Sequence, residues 1–348
     1  MKQFPFPVDA KVPLYLAPMA GVSESPFRRM CHRWGADVVV TEFLSAEGIR
    51  RDNPATVDKL RFGADERPIG VQIFGAEPAA MADAAALVTD VFAPEFIDIN
   101  FGCPVKKVVR RNGGSGCLKD LDLVEQVIRA VRGATTLPVT CKIRSGWNEE
   151  MRDPVKIALR CQDAGVAAIA LHPRTRTQMY SGSAQWHEIA AVADALEIPV
   201  IGNGDIKTSA DALRMYRETG CAAIMIARGS YGQPWIFRET RALLEGRPVP
   251  PAPAVEERFA IALEHARMVQ DYEADAEGAA IEFRKHLGWY VKGLPRSADL
   301  RKRLHAVNTF GEVEGIFEDY LRDSVTYRDG APIDAAETND SEMEPVEA

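Results

Sequence analysis

One thiol in this sequence stands in a setting that favours chemistry. Cys103 lies between Gly102 and Pro104 in the segment FIDINFGCPVKKVVRRNGGSG, which covers residues 96–116. The glycine permits unusual backbone angles and the proline fixes the exit direction, so the pair predicts a turn that points the thiol off the end of a strand. A free thiol has a pKa of about 8.5, so it is mostly protonated at neutral pH. Cys103 could therefore act as a general acid on carbon, opposite a hydride donor.

A basic loop follows this thiol directly. Its four cations are Lys106, Lys107, Arg110 and Arg111. Cations close to a cysteine favour the thiolate, so we expect these side chains to reach outward instead. The whole chain has 348 residues and a formal net charge of −8, which excludes a bulk polycation. The loop therefore predicts a polyanionic substrate bound by a local patch.

Composition and sequence patterns predict a cytoplasmic globular protein. Hydrophobic residues make up 46% and charged residues 26%, which is ordinary for that class. No apolar run approaches the roughly 20 residues of a membrane span, and the first residues lack the apolar stretch of a signal peptide. The six cysteines include no C-x-x-C pair, so we expect no metal site. Nothing indicates a protein partner.

Eight short apolar, β-branched segments predict strands, and helical patterns separate most of them. The strand segments lie at 14–19, 37–43, 69–75, 96–102, 138–146, 167–174, 198–205 and 222–229. Helical patterns such as those at 78–92, 122–133 and 209–220 indicate a parallel sheet covered by helices. Eight such units fit a (β/α)8 TIM barrel, an α/β fold. A doubly wound sheet is the alternative, although no G-x-G-x-x-G follows the first strand.

The chain changes character after the barrel pattern. A proline-rich stretch at 246–255 predicts a linker. Helical patterns follow it, so we predict a catalytic barrel domain at 1–245 and an all-helical bundle at 256–323. The remaining segment, 324–348, is acidic and poor in apolar residues, which predicts a disordered tail.

The predicted strand ends are polar at nearly every position, and barrel enzymes carry their chemistry there. Buried polar groups without partners are costly, so these residues should converge on one polar ligand. In chain order the ends carry Ala17, Pro18 and Met19, then Glu42, Gln72, Asn100 with Cys103, Lys142 with Arg144, His172 with Arg174, Asn203-Gly204-Asp205 and Ala227-Arg228-Gly229. The last two sets occur where barrels commonly hold a phosphate. FMN, a flat heterocycle with a phosphate, is the predicted cofactor.

These segments together resemble the tRNA-dihydrouridine synthases, most closely the bacterial B type. The stretches LAPMAGVSESPFR, IGVQIFG, DINFGCPVKKV, KIRSGW, LHPRTRTQMYSG, NGDI and MIARGSYGQPWIF carry the resemblance over most of residues 14–237. A later stretch, FRKHLGWYVKGLP, is similar to the family's helical domain. Ala227 departs from the glycine that the family commonly has there. The backbone N–H is unchanged, so we expect the alanine to be tolerated.

The resemblance implies an FMN-dependent enzyme that uses NADPH to reduce the C5=C6 bond of a tRNA uridine. It implies that flavin N5 gives a hydride to C6 and that Cys103 protonates C5. The implied cofactor-binding residues are Ala17, Pro18 and Met19 beside the ring, Gln72 and Lys142 at its polar edge, His172 near it, and Asn203, Gly204, Asp205, Ala227, Arg228 and Gly229 around the ribityl chain and phosphate. The residues implied to orient the uracil are Asn100, Arg144 and Arg174.

Local charge predicts a further tRNA-binding surface in the helical domain. Seven basic residues and only two acidic ones lie between positions 278 and 305. Trp289 and Tyr290 interleave with these charges, although both could simply be core residues. We expect Arg284, Lys285 and Lys292 to contact tRNA.

Three other functions remain open at this stage. A different FMN barrel, such as a dihydroorotate dehydrogenase, would explain the strand ends but not the basic loop or the helical extension. A non-catalytic tRNA-binding protein would leave Cys103 and Lys142 without a role. A Schiff-base aldolase using Lys142 would make Cys103 incidental.

Overall fold

The computed structural model describes residues 2–110, 112–273 and 275–327. Its strands are β1 (Leu14–Leu16), β2 (Val39–Val40), β3 (Leu44–Ser45), β4 (Ile69–Phe74), β5 (Phe96–Phe101), β6 (Val139–Gly146), β7 (Ala168–Thr175), β8 (Val200–Asn203) and β9 (Ala223–Ile226). Its helices are α1 (Ser25–Arg33), α2 (Ala46–Arg50), α3 (Pro54–Asp58), α4 (Pro78–Phe92), α5 (Lys106–Val109), α6 (Leu121–Ala134), α7 (Pro154–Asp163), α8 (Trp186–Ala195), α9 (Ser209–Thr219), α10 (Ile236–Leu244), α11 (Val255–Tyr272), α12 (Ala276–Tyr290), α13 (Ser297–Leu304) and α14 (Phe310–Tyr327).

The strands form one parallel sheet that returns on itself. Their spatial order is β1-β9-β8-β7-β6-β5-β4-β2, and β3 pairs with β4. A parallel bridge between Tyr15 and Val38 joins β1 to β2, which brings the two ends of that order together. Helices lie between successive strands of this ring. The predicted (β/α)8 TIM barrel is confirmed, and the doubly wound sheet is excluded because an open sheet would leave its two end strands apart.

Local sequence signals fix the ends of the barrel helices. Asp120 caps α6 by accepting hydrogen bonds from the backbone N–H groups of Asp122 and Leu123. Thr208 and Asp211 form a capping box at the start of α9, and Gly220 ends that helix with φ of 62°. These caps place α6 and α9 where the sequence pattern predicts them, within one residue at each end.

Aromatic side chains fill the barrel interior. Phe6, from the segment before β1, stacks on Phe96 of β5 with ring centroids 4.5 Å apart. Tyr15 and Val38 belong to the same buried cluster. Gly70 of β4 makes room for the Phe96 ring, because a Cβ at position 70 would lie 2.2 Å from Cε2 of Phe96. The core therefore depends on a large ring facing a residue without a side chain.

The chain divides into two compact units between Pro251 and Ala252. The described part of the second unit consists of α11 to α14. Phe259 of α11 stacks on Phe317 of α14 with ring centroids 4.0 Å apart. Helix α14 continues to Tyr327, so the first four residues of the predicted acidic tail, 324–327, are helical instead.

Two predictions fall on residues outside the described ranges. They concern Arg111 of the basic loop and the part of the acidic tail from 328 onward. Among the helices that the structure does describe, none combines the length and apolar character needed to cross a membrane.

We expect Gly70→Ala to lower the free energy of unfolding by about 1–3 kcal/mol, because the added methyl group overpacks the Phe96 ring. Urea titration measures the loss. The double variant Gly70→Ala with Phe96→Leu is the control, since a smaller side chain at 96 should accept the methyl group. Its cost should be smaller than the sum of the two single variants. Additive costs would show that Gly70 does not accommodate this ring.

Candidate active site

The parallel register brings the predicted strand-end residues together at one end of the barrel. Gln72 of β4 is aligned with Asp98 of β5, and Asn100 of β5 is aligned with Lys142 of β6. One step further, Arg144 of β6 is aligned with His172 of β7. Neighbouring strands therefore place amide, carboxyl, ammonium, guanidinium and imidazole groups around one opening.

A chain of buried hydrogen bonds crosses three of these strands. Thr140 Oγ1 and Gln72 Nε2 each donate to the Asp98 carboxylate over 2.5 Å. Asn100 Nδ2 donates in turn to Gln72 Oε1 over 2.7 Å. Burial raises the pKa of Asp98 to about 6, although the two hydrogen bonds and the Lys142 charge oppose the rise. Each amide in this chain is thus held in one orientation by its neighbour.

The same chain of bonds ends on the backbone of the Cys103 turn. Asn100 Oδ1 accepts hydrogen bonds from the N–H groups of Gly102 and Cys103, over 3.0 and 2.8 Å. Arg144 Nε donates to the Gly102 carbonyl over 2.9 Å. Ser115 donates to the Cys103 carbonyl through Oγ over 2.7 Å and through its own N–H over 3.1 Å. All four backbone polar groups of Gly102 and Cys103 are therefore fixed.

The glycine cluster after the basic loop explains how Ser115 reaches this turn. Gly114 has φ of 55°, and a Cβ there would lie 2.9 Å from the Cys103 carbonyl oxygen. Only glycine allows the chain to approach so closely in this conformation. The segment GGSG thus lets the chain fold back onto the Cys103 turn.

The Cys103 thiol is buried and remains protonated. Cys103 is only 6% exposed to solvent. Burial raises the pKa of the thiol, although the charges of Arg144 and Lys142 oppose the rise. Lys106, Lys107 and Arg110 are exposed, as the sequence predicts for a loop that reaches outward.

Lys142 is the cation of the site with the fewest polar contacts among the described residues. Burial and the Arg144 charge lower the pKa of its ammonium to about 8, although the charges of Asp98 and Cys103 oppose this. Among the described residues its Nζ has no hydrogen-bond or ion-pair partner within bonding distance. Burial and the surrounding cations also hold the pKa of His172 well below its usual value, so its imidazole is neutral. An unpaired ammonium beside a neutral imidazole favours an anionic ligand.

Arg174 uses all its donors inside the protein. Its guanidinium forms a bidentate pair with Asp205 over 2.8 Å, donates to the carbonyls of Ser181 and Gly182, and donates to His172 Nε2 over 3.2 Å. A guanidinium has five N–H donors, and these five contacts use them all. This geometry argues against the prediction that Arg174 orients the uracil, because no donor is left for a base.

The loops after β8 and β9 are packed against each other at the position predicted for the phosphate. Gly204 and Asp205 have φ of 120° and 54°, and Asp205 is held there by Arg174 and by the Ala184 N–H. A Cβ at Gly229 would lie 2.3 Å from the Ile206 carbonyl oxygen, so the second loop needs glycine to approach the first.

The remaining predicted residues of these two loops lie beside this contact. Asn203 Nδ2 donates to the Met225 carbonyl over 2.8 Å. The Arg228 guanidinium is 42% exposed and lies 3.9 Å from Asp205. Ala227 has φ of −109° and ψ of −111°, a combination outside the regions that residues with a Cβ ordinarily populate, and it packs against the barrel core. The backbone at position 227 thus has a conformation better suited to the glycine that the family commonly has, and the tolerance of alanine there stays a prediction.

The loop after β1 is held in place by contacts that depend on two carboxylates, those of Glu66 and Glu42. Ala17 is buried and Pro18 is partly buried, and Met19 packs against the barrel core. Ser23 Oγ accepts from the Met19 N–H over 2.8 Å, and the Ser23 carbonyl accepts from Arg28 over 2.8 Å.

The first of these carboxylates acts through Arg28. That side chain is buried with Glu66 in an ion pair of 2.7 Å. The second carboxylate, Glu42, accepts from the Val22 N–H over 3.1 Å. Both contacts keep the loop at the barrel opening in one conformation.

The three residues predicted to bind tRNA lie in the second unit. Lys292 is exposed, whereas Arg284 and Lys285 are partly buried. The Arg284 guanidinium donates to the Val307 carbonyl over 2.7 Å and to the Asn308 side chain over 3.0 Å. Arg284 therefore holds a turn of its own unit as well as carrying charge.

Sequence reasoning missed two residues of this site. Asp98 was hidden inside an apolar strand pattern, where only its alternation with Asn100 could have shown that both face the barrel interior. Tyr180 lies in the loop after β7, 39% exposed, with the guanidinium carbons of Arg144 and Arg228 5.6 and 4.6 Å from its ring centroid. An aromatic residue shortly after a polar strand end was the available signal.

Fold and site together define a class of protein. A parallel eight-stranded barrel with a protonated thiol, an unpaired lysine and two packed glycine loops at the strand ends is a barrel enzyme with a site for an anionic ligand. The model of the dihydrouridine synthase (Dus) family matches residues 15–325, so the chain belongs to this family.

Individual relatives agree with this assignment. The chain is 40% identical to the tRNA-dihydrouridine synthase B of Xanthomonas axonopodis pathovar citri over 317 residues, which cover 91% of this chain and 94% of that one. It is 40% identical to the tRNA-dihydrouridine synthase B of Pseudomonas aeruginosa over 293 residues, 84% of this chain and 87% of that one.

A solved structure shares the fold. The 2-naphthoyl-CoA reductase complex with 2-naphthoyl-CoA matches with a TM-score of 0.52 and 11% identity, over 69% of this chain and 51% of that chain. At this identity the likeness concerns the fold alone.

We expect Asp98→Asn to change how folding stability depends on pH. In the wild type the folded-state pKa of Asp98 is about 6, above the usual value of 3.8. Below about pH 3 the carboxyl is protonated in both states, and at higher pH the carboxyl ionises more readily in the unfolded chain than in the folded one. The wild-type free energy of unfolding, relative to the variant, should therefore fall by about 3 kcal/mol in total between about pH 3 and pH 7, with about 2 kcal/mol of this between pH 4 and pH 6.

Urea titrations of both proteins at several pH values in this range give that difference. A difference that stays constant would show that Asp98 ionises as easily folded as unfolded.

Proposed function

We propose that this protein reduces the C5=C6 bond of a uridine in tRNA to 5,6-dihydrouridine, with FMN as the bound cofactor and NADPH as the reductant. The observation that carries the proposal is the Cys103 turn, where every backbone polar group is fixed and the thiol stays protonated beside Lys142. Family membership supports the reaction, and the relatives named above are tRNA-dihydrouridine synthases.

The donor set at the barrel opening fits FMN. Lys142 offers an ammonium without a partner among the described residues, and Arg228 offers a half-exposed guanidinium beside the two packed loops. The first suits the polar edge of a flavin ring and the second its phosphate. Met19 supplies an apolar surface for a flat ring. A reduced flavin bound here would supply a hydride to C6 of the uracil.

Cys103 supplies the proton that completes the reduction. Hydride addition at C6 leaves the electron pair of the C5=C6 bond at C5, where the Sγ–H proton is transferred. Because burial raises the pKa of Cys103, the thiol carries that proton at neutral pH. The thiolate that remains takes a proton from solvent before the next turnover, and Lys142 and Arg144 stabilise its charge meanwhile.

Two free donors suit uracil rather than cytosine. Asn100 Nδ2 gives one hydrogen to Gln72 and keeps the other. Arg144 uses Nε and Nη1 inside the protein, and Nη2 has no partner among the residues that the structure describes. Uracil presents carbonyl oxygens at both C2 and C4, whereas cytosine carries an amino group at C4. A pair of donors therefore discriminates in favour of uracil.

The basic features outside the barrel opening favour tRNA over a small molecule. Lys106, Lys107 and Arg110 are exposed, and so is Lys292 in the second unit. A small-molecule oxidoreductase would need neither surface. We assign the phosphate backbone of tRNA to these cations, with the second unit as a tRNA-binding domain.

We expect purified wild-type protein to release FMN on denaturation and Cys103→Ala to keep that FMN and its reduction by NADPH. The variant should lose about 10²–10⁴-fold in tRNA reduction, because it lacks the general acid. Mass spectrometry of the tRNA measures dihydrouridine. Cys117→Ala is the matched control, since Cys117 is also a buried thiol and its Sγ bonds only to backbone carbonyls of Asn112 and Gly75. Near wild-type turnover by Cys103→Ala would make Cys103 structural.

We expect Lys285→Glu combined with Lys292→Glu to weaken tRNA binding strongly, with partial recovery at low salt and unchanged FMN content. Each lost phosphate contact should lower the salt slope of binding by somewhat under one unit. The control is Lys156→Glu with Arg217→Glu, which makes the same charge change on exposed positions of α7 and α9. Equal tRNA affinity in both double variants would leave the loop at 106–110 as the main tRNA surface.

A further inference from the structure

An exposed methionine beside the site adopts a backbone conformation that its side chain disfavours. Met179, in the loop after β7, has φ of 53° and is 37% exposed. A non-glycine residue in this left-handed region costs about 1–2 kcal/mol. Exposing a large apolar side chain brings no compensating burial. Neither folding stability nor packing accounts for methionine at this position.

The surrounding contacts enforce this conformation. The Met179 carbonyl accepts from Arg144 Nη1 over 2.8 Å, and its N–H donates to the Arg176 carbonyl over 3.1 Å. The neighbouring Gln178 side chain accepts from the Thr175 N–H over 2.8 Å and from an arginine side chain over 2.6 Å. Strained residues that are fixed from several sides concentrate at ligand contacts.

Arg144 connects Met179 directly with the catalytic turn. The same guanidinium bonds the Met179 carbonyl through Nη1 and the Gly102 carbonyl through Nε, over 2.8 and 2.9 Å. Met179 and Cys103 therefore lie on either side of one arginine. Tyr180, next in the chain, is also exposed. An apolar surface thus borders the opening through which a uracil would have to reach Cys103.

Two cations beside this surface lack a carboxylate partner. Lys119 Nζ lies 4.0 Å and the Arg176 guanidinium carbon 4.8 Å from the ring centroid of Trp147. Neither cation forms an ion pair within the described part of the chain, and the buried Nε of Arg176 has no hydrogen-bond partner there. Backbone bonds from Arg176 and Thr177 to the carbonyls of Gly146 and Trp147, each 3.0 Å, join the two loops.

We propose that Met179 packs against the base of an unpaired nucleotide next to the target uridine, while Lys119 and Arg176 bind its phosphate. The inference rests on the proposed tRNA reduction and specifies a second nucleotide subsite for it. A uridine that enters the barrel leaves its stack, and its neighbour loses a stacking partner. An exposed apolar side chain replaces that partner, and the paired cations explain why the occupant is a nucleotide.

Met179→Gly tests the apolar half of this subsite. The variant removes the side chain and the backbone strain together, so its Tm should stay equal or rise by up to about 3 °C. Its tRNA affinity, measured by filter binding, should nevertheless fall about 10-fold. Met179→Leu should keep wild-type affinity, and Val91→Ala, an exposed apolar residue on α4, is the control for surface changes. Wild-type affinity in Met179→Gly would overturn the assignment.

Lys119→Gln tests the phosphate half. Its salt slope of tRNA binding should be smaller by about 0.7, the value for one contact to a single strand. An unchanged slope would remove Lys119 from the subsite. Failure of the wild type to form dihydrouridine would overturn the proposed function itself. Wild-type turnover with unaffected tRNA affinity in Met179→Gly would overturn only this inference.

Discussion

The side chain of Asn100 is the contact on which the rest of the site depends. Its oxygen holds the N–H groups of Gly102 and Cys103, and its nitrogen is held by Gln72, which Asp98 holds in turn. A cysteine side chain has one torsion before its sulfur, so fixing the backbone leaves the sulfur about three staggered positions. The Cys103 turn is thereby anchored to the barrel interior rather than to a surface loop, which would suit the proton donation that we propose for it.

The cations at the barrel opening are neutralised unevenly by the carboxylates of the site. Arg174 is neutralised by Asp205 and serves to hold the loop after β7 to the loop after β8. Lys142 forms no ion pair among the described residues, and the nearby carboxyl of Asp98 has a pKa that burial raises to about 6. The side chains of the site therefore carry an excess of positive charge within a desolvated space. The anionic cofactor that we propose would relieve that excess.

Several loops of the barrel opening approach each other more closely than side chains would allow. Gly114 meets the Cys103 carbonyl and Gly229 meets the Ile206 carbonyl. In both cases the missing Cβ lets one segment pack directly on another, so these segments are held together. Met179 differs from these glycines, since it carries a side chain at a φ of 53° that suits glycine, as Asp205 does at 54°.

The sequence by itself determined the barrel and its strand ends, because the alternation of apolar strands and helices is a local pattern. It also singled out Cys103 among the six cysteines, because TIM barrels place chemistry at strand ends. It also indicated the residues that meet there. Only the tertiary structure decided which of them already have hydrogen-bond partners within the protein. Arg174, expected at the uracil, uses all five donors on the protein, and Asp98 and Tyr180 enter the site through contacts across strands and loops. Hydrogen-bond saturation and burial depend on neighbours distant in the chain, so no local pattern can reveal them.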